Sequence, residues 1–224
     1  MTLLCIESAT LNCSVAIWNN GDVGVHFEEH AEHYIHAERL HVLINDALNA
    51  FNGRPDAIAI STGPGSYTGL RIGVSAAKGL AEGYGIPIIA VPTLDQFALH
   101  MRELHPGYDF YVPLLDARRM EAYTRTFDAQ GYPLNTTNAL AIGPTSFSEE
   151  LNSGRVLFFG DAAAKTQDVI SHINAHFVTG ALPNALGVGQ LGTRLAEEGH
   201  FADVITLEPF YLKDFIAGTP KKQL

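Results

Sequence analysis

The order of strands and helices in the first hundred residues is run through a second time in the rest of the chain, and that repetition narrows the fold more than any single motif. Alternating apolar residues between turn signals predict strands at 3–7, 14–18 and 23–28, with Asn20-Gly21 as a tight hairpin between the second and third. An amphipathic helix is predicted from about His36 to Phe51, followed by a strand at 57–61, a helix at 69–84 and a strand at 87–91. The second half gives strands at 111–115 and 121–127, a turn at Ala129-Gln130-Gly131, and a strand at 133–142. A short helix opened by a Ser146/Glu149 capping box follows, then a strand at 156–159 and a helix after Asp161. A further helix, from about Ala185 to Gly199, and a tail at 207–215 with no counterpart in the first half complete the pattern.

A three-stranded meander followed by alternating helix and strand, twice over, predicts a duplicated ribonuclease-H-like unit, the two-lobed α/β architecture of actin, Hsp70 and sugar kinases. The restart near residues 101–107 divides the chain into a first lobe, 1–101, with a glycine turn and partner-binding helices, and a second, smaller lobe, 102–224. Composition agrees with a folded chain: 46% of the 224 residues are hydrophobic and 17% charged. The net charge of -10 excludes a broad direct grip on nucleic acid, which needs Lys and Arg to neutralise phosphates, so any RNA is expected to be met through a partner. Two cysteines, Cys5 and Cys13, are too few for a disulfide framework and point to the cytoplasm. The first residues carry no basic leader, Glu7 interrupts their apolar run, and no stretch reaches 18 uninterrupted apolar residues; neither export nor a membrane span is expected.

Between the strand at 57–61 and the next helix runs STGPGSYTGLRIGVSAAKGLA. No Gly-Lys-Ser/Thr follows, so this is not a Walker A loop, and the N-terminal meander does not supply the βαβ start of a dinucleotide-binding fold. Gly63, Gly65, Ser66 and Gly69 therefore read either as a nucleotide or phosphate turn or as a tight turn with left-handed positions before a helix. In the helix, Leu70, Val74, Ala77 and Ala81 form a core stripe and Arg71, Ser75, Lys78 and Glu82 a polar one. A third stripe, Ile72, Ala76, Gly79 and Gly83, is small and nonpolar. Each helical glycine costs roughly 0.5–1 kcal/mol relative to alanine, so two on one line call for another helix in close approach. That neighbour is either the helix around Glu38–Ala50 or a second molecule; the excess of apolar residues on the former favours an intermolecular helix-pair contact.

His26-Phe27-Glu28-Glu29-His30 matches the H-x-x-E-H zinc-peptidase pattern, which needs a helix to bring residues i and i+4 to one metal. Here it falls on a strand, where four residues span roughly 13 Å, so the histidines of 26–41 are read as solvated side chains flanking a helix start and no metal site is assigned. Gly63-Pro64-Gly65-Ser66-Tyr67 breaks the spacing of a G-x-S-x-G nucleophile elbow, and no catalytic residue is assigned.

Four stretches, LLCIESATLNCSVAI, STGPGSYTGLRIGVSAAKGLA, PLLDARRMEAYT and LEPFYLK, closely resemble the bacterial TsaB (YeaZ) family. The resemblance implies an actin-like fold and a place in the machinery that makes N6-threonylcarbamoyladenosine at tRNA position 37, as a scaffold for the catalytic paralogue TsaD. TsaD holds a metal with an H-x-x-x-H pair just after the strand that follows the glycine-turn helix; here the two positions fall on Thr93 and Phe97, so the metal site is expected to be missing. Glu7 stands where many relatives carry aspartate. The family also implies that the two helices pair with those of TsaD, or of a second copy in a homodimer. The residues expected at that contact are Leu40, Leu43, Ala47, Ile72, Ala76, Gly79 and Gly83. The ATPase TsaE is implied as a further partner, with tRNA reached only through the complex. An adenine nucleotide is implied near the junction, with no cofactor held tightly by this chain. Arg118 and Arg119 read equally as a contact for an acidic surface or phosphate and as solvated turn residues. The rival reading is an enzyme in its own right, an actin-like ATPase or a glycopeptidase.

Overall fold

Asn20 (φ 51°) and Gly21 (φ 91°) adopt the left-handed conformations that an Asn-Gly hairpin requires. Around this turn, β1 (Thr2–Glu7), β2 (Asn12–Asn19) and β3 (Asp22–His30) form an antiparallel meander. The structure, a computed structural model, describes residues 1–213. After the meander come α1 (His36–Phe51), β4 (Ala57–Ser61), α2 (Tyr67–Tyr84), β5 (Ile88–Val91) and α3 (Thr93–Leu104). The strands form a sheet of order β3-β2-β1-β4-β5, with β4 parallel to both β1 and β5.

The second half repeats this plan. It runs through β6 (Phe110–Asp116), β7 (Glu121–Thr124), β8 (Phe127–Asp128), β9 (Asn138–Ala141), α4 (Ser148–Ser153), β10 (Val156–Gly160), α5 (Ala163–Gln167), β11 (Ala175–Thr179) and α6 (Ala185–Glu197). Its sheet order, β11-β10-β6-β7-β9 with β8 on β6, is the first order read backwards. In each sheet the founding strand has its antiparallel meander on one side and its parallel partners on the other. This is the duplicated ribonuclease-H-like fold. Among the described residues no helix is long and apolar enough to cross a membrane.

Several local expectations are corrected. The strand expected at 121–127 breaks at Arg125 and Thr126: the Arg125 Nε donates to Asn135 O (2.8 Å) and the Thr126 N–H to Asn135 Oδ1 (3.0 Å), so a side chain replaces the ladder. Of the strand expected at 133–142 only Asn138–Ala141 forms, and Pro133 makes one isolated bridge to Phe127. The Ser146/Glu149 capping box does not form; α4 starts behind Phe147 in a left-handed conformation (φ 61°), and Ser146 Oγ accepts from the Gly143 N–H (3.0 Å) instead.

The helix that ends each half packs on the other half's sheet. Leu94, Phe97, Ala98 and Met101 of α3 join Tyr111, Leu115, Phe127, Leu157 and Phe159 of the second lobe. In return, Ala185 and Val188 of α6 bury Leu3, Cys5, Ala16, Trp18 and Ala59 of the first. A Cβ on Gly189 would come within 2.5 Å of the Trp18 ring, so only glycine lets α6 lie this close. The first sheet is thus covered on one face by α1 and α2 and on the other by residues that follow the 101–107 restart. This explains why β1 and β4 are apolar nearly throughout: both faces are buried. Phe97 is fully buried with its ring edge-on to Phe159 at 4.8 Å. Phe97→Ala is expected to lower stability by about 3–5 kcal/mol in urea denaturation, in one transition shared by both lobes; an early separate transition of one lobe would contradict the shared core.

Candidate functional site

The turn before α2 is shaped by what it touches. Ser66 caps the helix, its Oγ accepting from the Gly69 N–H (3.2 Å), while its own N–H donates to Ala9 O (2.6 Å). A Cβ on Gly65 would meet Ala9 O, one on Gly69 would meet Ser8 O, and one on Gly73 would meet Ser8 Oγ, each under 3.0 Å. Gly63 (φ 116°) faces Phe210 O, which a Cβ would approach to 2.7 Å. All four positions are therefore taken up by the chain itself. The sequence reading missed Gly73, whose place four residues beyond Gly69, one helical turn on along the same face, was the available signal.

The LEPFYLK tail runs over this turn as a strap. Lys78 Nζ donates to Ile205 O (3.0 Å) and Leu207 O (3.1 Å), and the Phe210 N–H donates to Thr62 O (2.7 Å). Tyr211 packs on Tyr67 with ring centroids 4.7 Å apart, and Arg71 lies over the same Tyr67 ring. Lys213 then reaches the second lobe, donating to Ala117 O (3.3 Å) and pairing with Glu121. Positions 214 and 215 of the expected tail lie outside the described residues.

The opposite flank of α2 is open. Ile72, Ala76 and Gly79, with Ala37 and His41 of α1, line a groove of about 650 Å³. A Cβ on Gly79 or Gly83 would have nothing within 4 Å, so packing inside the lobe does not account for either glycine. Leu40, Leu43 and Ala47 do not line this groove. They turn inward, at most 3% exposed, and belong to the core over β1, β2 and β4. The solvent side of α1 carries His41 and Val42 instead.

At the end of β1 the charge is hidden. Glu7 is fully buried, its Oε1 accepting from the Ala9 N–H (2.6 Å) and its Oε2 from Gln96 Nε2 (2.8 Å). Burial outweighs these hydrogen bonds and pushes its pKa up to about 7. Thr93 is also spent: its Oγ1 lies 2.6 Å from Ser61 Oγ and accepts from the Gly63 N–H (2.9 Å). With Phe97 in the second lobe's core, the pair of positions that would carry the histidines of an H-x-x-x-H site does not fit a metal. A narrower cleft of about 320 Å³ separates Thr62, Gly63 and Pro92 from Arg125, Thr136 and Thr137, and Phe210 stands at its edge.

His26 lies on β3 with its Nε2 3.1 Å from Ser14 Oγ, and His30 ends the same strand. His36 is not solvated: it is buried at the start of α1, its Nε2 donating to Asn12 O (3.3 Å), and burial holds its pKa below the usual imidazole value. Arg118 and Arg119 occupy the β6–β7 turn in left-handed conformations (φ 68° and 50°) and are exposed.

The family model for TsaD, tRNA N6-adenosine threonylcarbamoyltransferase, matches residues 18–169. The chain is 30% identical over 226 residues to the tRNA threonylcarbamoyladenosine biosynthesis protein TsaB of Escherichia coli, covering 97% of this chain and 96% of that one. The TsaB of Haemophilus influenzae is 29% identical over 96% of this chain and 94% of its own. Among solved structures, YeaZ from Pseudomonas aeruginosa superposes with a TM-score of 0.79 at 24% identity, covering 94% of this chain and 99% of that one, a likeness of fold.

Two outcomes follow from the geometry. Gly69→Ala should cost about 2 kcal/mol or more in urea denaturation because its neighbour is backbone, whereas Gly79→Ala should gain up to about 1 kcal/mol; equal effects would contradict the packing described. Glu7 ionises near pH 4.5 when unfolded and about 7 when folded, so its burial is free of penalty below pH 4.5 and destabilises progressively up to about pH 7. Glu7→Gln should therefore gain stability relative to wild type between pH 5 and 8, by on the order of 3 kcal/mol at full effect. Parallel pH profiles for the two proteins would refute this.

Proposed function

Because the chain belongs to the TsaB family of tRNA threonylcarbamoyladenosine biosynthesis proteins, we propose that it works as a non-catalytic cytoplasmic scaffold, binding TsaD through the α1–α2 groove. One observation carries this reading: α2 keeps two glycines over open space, Gly79 in the wall of a mainly apolar groove and Gly83 one turn further along the helix. Small residues on a helix surface let a second helix backbone come close, and in this reading the partner's helix supplies the contacts that the isolated chain lacks. Ile72, Ala76 and Gly79 form the contact on α2, and Ala37, His41 and Val42 replace the buried Leu40, Leu43 and Ala47 on α1. A homodimer would use the same face and so compete with TsaD.

In the same reading TsaE joins the pair, tRNA is met through the assembly, and an adenine nucleotide sits at the junction, away from the glycine turn. The buried Glu7, the engaged Thr93 and the core position of Phe97 weigh against the rival ATPase or glycopeptidase.

Association with the TsaD of the same organism, followed by sedimentation, tests the scaffold role. Ala76→Arg and Gly79→Leu, in folded proteins, should each weaken it by about a hundredfold, the scale of a buried interface residue. Undiminished binding would move the contact elsewhere, and no binding by the wild type would sink the scaffold reading.

A further inference from the structure

The β6–β7 turn is built in an unusual way. The left-handed region brings Cβ close to the following carbonyl oxygen, so turn positions there are ordinarily Gly, Asn or Asp. Here both positions are arginine, Arg118 (φ 68°) and Arg119 (φ 50°). The turn is held from behind by two ammonium groups. Lys165 Nζ donates to Arg119 O (2.7 Å) and Glu121 O (2.7 Å) and pairs with Asp116, while Lys213 donates to Ala117 O and pairs with Glu121. The Arg118 N–H donates to Asp116 Oδ1 (3.3 Å), and the Asp116 N–H to Asp161 Oδ1 (2.7 Å). The nearby carboxylates Asp116 and Glu121 are thus already paired with the lysines. Among the described residues neither guanidinium has a carboxylate within ion-pair distance. In a chain of net charge -10, these are two adjacent exposed positive charges on one turn, with only Arg119 near enough to the Glu121 carboxylate to help Lys213 hold its pKa below the usual range.

We propose that Arg118 and Arg119 grip the phosphate backbone of the RNA on which the assembly acts, a proposal that rests on the scaffold reading. The two arginines are exposed at the tip and line neither the α1–α2 groove nor the cleft between the lobes. The tip stands out on a hairpin, where an extended polyanion can reach it. Guanidinium groups suit phosphate oxygens because their planar forks donate in pairs. The acidic remainder of the surface confines the contact to this tip and explains why RNA would be held only with a partner supplying further positive charge.

The test uses the complex with TsaD of the same organism and its tRNA, with affinity measured across a salt series. Arg118→Asn with Arg119→Gly gives the turn the residues its geometry prefers, so the variant should melt at or above the wild-type temperature. It should still bind tRNA about tenfold more weakly at moderate salt, with the slope of log affinity against log salt smaller by about 1.4 to 1.8, two phosphate contacts' worth. Arg118→Lys with Arg119→Lys should retain most of the slope. An unchanged slope in the Asn-Gly variant, its complex intact, overturns the proposal. Loss of the complex itself in that variant would show the hairpin to be a contact for an acidic protein surface, and overturns it too. Failure of the wild-type proteins to associate, seen by sedimentation before RNA is added, defeats the scaffold reading and takes this proposal with it.

Discussion

The close approach of α2 to the β1–β2 turn governs the rest of the first lobe. Gly65 and Gly69 let the chain entering α2 rest on the backbone of Ala9 and Ser8, and Gly73, one turn on, makes room for the Ser8 hydroxyl. Seated so deeply, α2 buries Leu70, Val74, Ala77 and Ala81 against the sheet and turns Ile72, Ala76 and Gly79 towards α1 and solvent. The groove is thus a consequence of the turn. Glycines at the start of the helix serve the interior, and those towards its end face outward, so one helix meets two different requirements.

At the end of β1 the polar groups are drawn into the packing in the same way. In this architecture the ends of the founding strand and of its parallel neighbours face the cleft between the lobes. Here those ends carry Glu7, Ser61 and Thr93, and each is buried and bonded within the chain. The strap across Gly63 and the tyrosine pair Tyr67–Tyr211 cover the approach from the side of the tail. These polar groups are satisfied within the chain and form part of its packing.

Elements with their own local signal are legible in the sequence. The hairpin at Asn20-Gly21, the period of α1 and α2, and the repeat of the meander all lead to the observed sheet orders. α3 and β11 are not legible, for different reasons. α3 follows β5 after one proline and has no side-chain cap, and its apolar residues face the other lobe, so its place depends on the whole fold. β11 is only partly buried at its first four positions and so carries little alternation. At the groove, periodicity showed which residues of α1 share a face but not what covers it, and Leu40, Leu43 and Ala47 proved to face their own sheet. On α2 the glycines resolved that ambiguity, since a glycine over empty space has no use in a core.

The exchange of α3 and α6 between the lobes has a consequence for synthesis. As the chain leaves the ribosome, the first sheet can pair its strands and receive α1 and α2 early, but Leu3, Cys5 and Trp18 have no cover until α6 emerges. For most of translation the nascent first lobe presents one bare apolar sheet face. The chain order thus makes completion of the amino-terminal lobe a late, carboxy-terminal event, and a ribosome stalled before residue 185 would hold a lobe with that apolar face still bare.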